Sequence, residues 1–91
     1  MNTNVFVRIS GRVQGVWFRA NTKQKAEQLG VTGWIRNTSN GCIEAIFEGD
    51  ENMVKEMLDW CNHGPAQAKV ENVEIKNQPV TNAFDGFAIK Y

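Results

Sequence analysis

Apolar residues follow two periods along this chain. From Val5 to Ser10 every second residue (Val5, Val7, Ile9) is aliphatic, with Phe6, Arg8 and Ser10 between them, which predicts a strand with one strongly apolar face. Gly11–Trp17 has two glycines and neither period. Thr22, Ala26 and Leu29 then recur at helical spacing as far as Gly30, a natural helix stop. Val31–Thr38 reads as a second strand, Ser39-Asn40-Gly41 as a tight turn because Asn and Gly accept positive φ, and Cys42–Glu48 as a third strand antiparallel to the second. Gly49-Asp50 breaks that strand, and Asp50 suits a helix N-cap. Val54, Met57, Leu58 and Cys61 recur at i, i+3, i+4, i+7 and predict an amphipathic helix ending at Gly64-Pro65. Lys69–Lys76 is charged enough for an edge strand, Gln78–Asp85 reads as a loop, and Phe87, Ile89 and Tyr91 alternate as a short last strand.

The order β, α, β, β, α, β with an extra short strand predicts an α+β, ferredoxin-like βαββαβ sandwich: an antiparallel sheet of four to five strands with both helices on one face. At 91 residues and 42% hydrophobic, the chain is expected to be one domain, residues 1–91, with a single core needing no metal or disulfide. Ten Lys and Arg against ten Asp and Glu argue against a dedicated nucleic-acid binder. No apolar run approaches the roughly 20 residues of a membrane span and the first residues are polar, so a cytoplasmic protein with no membrane partner is expected. Cys42 and Cys61 match no zinc or redox spacing and read as free thiols, Cys42 sharing the outward phase of Glu44 and Glu48, Cys61 lying on the inward helix stripe. His63, the only histidine, reads as a helix-end residue rather than a catalyst, and scattered acids offer no metal cluster. Trp34, Trp60, Met53 and Met57 read as packing residues.

Right-handed connections bring the C-terminal ends of the first two strands to one end of the sheet, so the Gly11–Phe18 loop neighbours Asn37. Alternation puts Gly33, Ile35 and Asn37 on one face, and the apolar Ile35 marks that face as the one toward the helices. Arg19 stands at a helix start, where the N-terminus already carries about half a positive charge. A bound anion would relieve the excess, and loop amides, a helix N-terminus and a guanidinium fork together make a phosphate site. On these residues alone, a surface arginine whose stem covers apolar neighbours is the other reading.

Gly11-Arg12-Val13-Gln14-Gly15-Val16-Trp17-Phe18-Arg19 resembles the acylphosphatase signature G-x-V-Q-G-V-x-F-R at every fixed position. Gly33-Trp34-Ile35-Arg36-Asn37 is similar to the family's G-aromatic-aliphatic-x-N segment, Thr38–Gly49 to its hairpin and third strand, and Phe87–Tyr91 to its last strand. The resemblance implies hydrolysis of acyl phosphates, small-molecule substrates, to carboxylate and inorganic phosphate, without metal or cofactor. Inorganic phosphate would be both product and inhibitor. Carried over residue by residue, Arg19 binds the phosphate, Asn37 positions the attacking water, and Gln14, Gly15, Val16, Trp17 and Phe18 bind substrate through loop N–H groups. Val16 and Phe18 would also anchor the loop, while for Gln14 and Trp17 structural and substrate-contacting roles both stay open. The expected protein is a monomer. Two other readings compete: a noncatalytic binding module, for example an RNA-recognition-like sheet, disfavoured by an expected exposure of Glu44 and Glu48 that would repel phosphates, and a relative specialised for carbamoyl phosphate.

Overall fold

The computed structural model covers residues 1–91, and the alternating stretch near the start forms a longer strand than its period predicts: β1 runs Asn2–Arg12, with a bulge between Ser10 and Gly11. α1 spans Phe18–Leu29 and closes on Gly30. β2 (Thr32–Asn37) and β3 (Ile43–Asp50) flank the turn, in which Gly41 alone takes positive φ, at 88°. The break expected at Gly49-Asp50 does not occur, because Asp50 ends β3 and at once caps α2 (Glu51–Cys61), accepting from the Asn52 N–H at 3.0 Å. β4 (Lys69–Gln78) and β5 (Phe87–Lys90) complete the chain's elements.

The strand order is β4-β1-β3-β2-β5, with β4 at an edge as expected. β5 pairs with β2 in parallel, so the sheet is mixed and not wholly antiparallel. The reason lies in the connection: β4 runs against β1, and a loop that reverses once sends β5 in the direction of β1 and β2. α1 lies over β2 and β5, α2 over β1 and β3, and the helices touch. Val7, Ile9, Ile35, Ala45 and Phe47 of the sheet meet Phe18, Ala26, Val54, Met57 and Cys61 of the helices in one apolar cluster. This is the expected α+β, ferredoxin-like sandwich with a fifth strand. Ile9 pairs with Ile43, and Ile43 with Asn37, so the C-terminal ends of β1 and β2 do share one end of the sheet.

The face away from the helices corrects one expectation. Glu44 and Glu48 are only 9% and 3% exposed. Arg8 Nη2 at 2.9 Å and Arg36 Nη2 at 2.8 Å each bind one oxygen of Glu44, and these hydrogen bonds hold its carboxyl below the ordinary value. Burial pushes the Glu48 carboxyl up, but donors outweigh burial and its pKa falls: the Asn4 side chain at 2.8 Å and the N–H groups of Thr81 at 2.8 Å and Asn82 at 2.9 Å. Both acids are therefore covered by partners. Trp34 on the same face lies beneath Arg36 and Lys90. Both thiols are free; Cys42 stands just ahead of β3, and burial pushes Cys61 up to about 12. His63 sits at the end of α2 with its ring Nδ1 3.2 Å from the Asp59 carbonyl.

Candidate active site

The loop between β1 and α1 is shaped by alternating backbone conformations. Gly15 and Trp17 take left-handed φ of 74° and 64°, with Val16 between them, a pattern that turns successive N–H groups into a concave, anion-binding arc. Open space surrounds the position of a Cβ on Gly15, so glycine serves the conformation alone. For a residue as bulky as Trp17 the same region costs of order 1–3 kcal/mol. Burial of Val16 and Phe18 on either side holds it there.

Gln14 ties the loop from below. Its Nε2 donates to the carbonyls of Thr38 and Cys42, each at 2.8 Å, fixing the loop to the β2–β3 turn. That places the Gln14 side chain in a structural role, and the buried Val16 side chain likewise anchors the loop.

The two helix N-termini differ in one respect that matters for charge. α2 begins with the Asp50 cap and Glu51 in its first turn, whereas α1 has no side-chain cap and no acid in its first turn. Its first N–H groups and dipole are left to whatever stands before them. Arg19, half-buried at that point, belongs to none of the four ion pairs; its guanidinium lies 5.1 Å from the Tyr91 ring.

A cavity of about 300 Å³ collects these groups. Gly15, Trp17, Phe18 and Arg19 line it from the loop and α1, and Asn37 lines it from the end of β2. The Oδ1 of Asn37 is buried and has no hydrogen-bond partner in the protein. Of the expected site residues, then, five meet at one cavity, and Gln14 and Val16 support it from behind. Four lining residues, Val13, Ala20, Ile89 and Tyr91, were not among those expected, and the last two come from the far end of the chain. The phase that puts Tyr91 with Phe87 and Ile89 was visible in the sequence, but nothing local indicates that β5 lies against β2 beside Asn37. Chemically, the cavity offers a fixed cation, unengaged helix amides and one neutral amide able both to donate and to accept.

Comparison with known proteins identifies the family. The family model described as Acylphosphatase matches residues 5–89. An acylphosphatase of Pelotomaculum thermopropionicum is 49% identical over 85 residues, covering 93% of this chain and 92% of its own. One of Rubrobacter xylanophilus is 48% identical over 86 residues, covering 94% of this chain and 78% of its own. Among solved structures, an acylphosphatase from Coxiella burnetii superposes with a TM-score of 0.93 at 36% identity, over 98% of this chain and 93% of that one. On the match across nearly its whole length, this chain belongs to the acylphosphatase family.

Proposed function

We propose that Arg19 and the loop amides hold the phosphoryl group while Asn37 positions the water with which this acylphosphatase-family chain hydrolyses acyl phosphates. One observation carries the assignment: the unpaired Arg19 at an uncapped helix N-terminus shares a cavity with Asn37, whose Oδ1 has no hydrogen-bond partner in the protein. The arginine fork grips two phosphoryl oxygens, and the N–H groups of residues 15–18 bind the charge that grows on the equatorial oxygens. Asn37 holds the water by its side-chain amide and aims it at phosphorus; as a neutral amide it orients the water and takes no proton.

The chemistry asks for little more. Water oxygen bonds to phosphorus, the bond from phosphorus to the acyl oxygen breaks, and that electron pair leaves as a carboxylate. Both water protons finish on the phosphate. A carboxylate leaving group, with a conjugate-acid pKa of about 4 to 5, needs no protonation to depart, so positioning and charge stabilisation supply the rate. Inorganic phosphate, having the shape of the bound group, acts as product and inhibitor. On the same reading the chain works as a monomeric single domain in the cytoplasm, and no helix of it is long and apolar enough to cross a membrane.

Hydrolysis of acetyl phosphate against para-nitrophenyl phosphate, with inorganic phosphate as inhibitor, tests the division of roles. Arg19→Ala is expected to abolish both turnover and phosphate inhibition. Asn37→Ala is expected to keep inhibition within about threefold and lose turnover by a factor of about 100 or more. Equal loss of phosphate affinity in the two variants would refute the assignment, as would cleavage of the ester in preference to the anhydride.

A further inference from the structure

Two more cavities share lining residues with the Arg19–Asn37 cavity, and they differ in character. One, of about 450 Å³, shares Asn37 and Tyr91 with it and is polar, with Arg8, Arg36, Ser39 and Glu44 among its walls. The other, of about 380 Å³, shares Trp17 and is formed by Val16, Trp17, Trp60 and Pro65, with Asn21 and Gln67 as polar members. No charged residue lines this second groove.

In-line displacement decides which cavity serves which reactant. The attacking and leaving oxygens stand on opposite sides of phosphorus. With the water held at Asn37, the reading on which this inference rests, the acyl group departs away from Asn37 and away from the polar cavity. The remaining cavity is the one that has Trp17 as a common wall.

We propose that the Trp17–Trp60–Pro65 groove is the acyl-group subsite, that it takes planar, apolar acyl groups such as aromatic acyl chains, and that Trp17 is the platform on which they stack. Trp17 is 74% exposed, an unusual position for the largest side chain, and it is kept there in a left-handed conformation. The N–H and the side-chain amide of Asn21 both donate to its carbonyl, at 3.0 and 2.9 Å, so the backbone beneath the ring is fixed. Trp60 is oriented by an edge-on contact with Phe18, ring centroids 5.5 Å apart. Two aromatic walls are thus set before substrate arrives, which favours a flat ring over a flexible or charged chain.

Steady-state hydrolysis of benzoyl phosphate and acetyl phosphate by the whole chain tests this. The wild type should show the lower KM for benzoyl phosphate. Trp17→Gly, a residue suited to φ of 64°, should raise the KM for benzoyl phosphate about tenfold relative to that for acetyl phosphate, and Trp17→Phe should restore most of the difference. Ala66→Asp, which places a carboxylate in the groove outside the phosphate loop, should move the ratio in the same direction. Arg36→Gln, on the Asn37 side, should leave the ratio at its wild-type value. A ratio unmoved by Trp17→Gly and Ala66→Asp, or moved by Arg36→Gln instead, overturns the subsite while acyl phosphate hydrolysis stands. Failure of the wild type to hydrolyse either substrate overturns the functional reading itself, and the subsite with it.

Discussion

The side-chain amide of Gln14 has no proton free for a substrate, because both are engaged by main-chain carbonyls. A glutamate there has nearly the same shape but only acceptors, and would face two carbonyl oxygens with nothing to donate. Gln14→Glu is therefore expected to lower stability by about 2–3 kcal/mol and to weaken phosphate inhibition, since the loop loses its tie to the β2–β3 turn. Denaturant unfolding and inhibition by phosphate read the two effects separately, and retention of wild-type inhibition would show that the loop holds its shape unaided. Arg19 and Tyr91 illustrate a different balance. A cation over an exposed ring gains about 0.5–1 kcal/mol, enough to orient the guanidinium and far too little to neutralise it. The charge stays available to an anion.

Among the elements, the segment from β4 to β5 depends most on a distant partner. Glu48 on β3 accepts the N–H groups of Thr81 and Asn82 and so holds the loop that delivers β5 to the edge of β2. Glu48→Ala strands these donors and the buried Asn4 amide; a loss of about 2 kcal/mol is expected, with faster hydrogen exchange at Thr81 and Asn82. Unchanged exchange there would mean that the loop is held by other contacts. Sequence patterns disclosed the elements whose evidence is local: the alternation of Val5, Val7 and Ile9, the α2 stripe, the Asp50 cap and the Gly11–Arg19 signature. They did not disclose the parallel β2–β5 pairing, the covering of Glu44 and Glu48, or Tyr91 in the cavity wall. Each of these depends on which distant strands become neighbours, and periodicity carries only the face on which a residue lies.

Over the whole molecule, acid stability follows from the two covered carboxylates. Both have folded pKa values below the unfolded value of about 4.3, so their stabilisation is complete above that value and is lost as pH falls through the folded one. Denaturation midpoints should be level above about pH 5 and fall below about pH 4, with a shallower fall in Glu48→Gln; an identical slope in the variant would show that Glu48 contributes nothing to acid unfolding. With ten positive and ten negative side chains, the molecule carries no net charge to draw in an anion, so on the proposed function recognition rests on the local field at Arg19. One wall of that local site comes from β5, a strand of four residues paired on one side only, to β2, a partner laid down much earlier in the chain. Such a closure across a long stretch of chain is expected to form late in folding and to open at a lower free energy than the central β1–β3 pair. If the β5 wall is needed for turnover, activity is expected to fall at a lower temperature than the far-UV circular dichroism signal, and coincident loss of the two would show that β5 opens only with the whole fold.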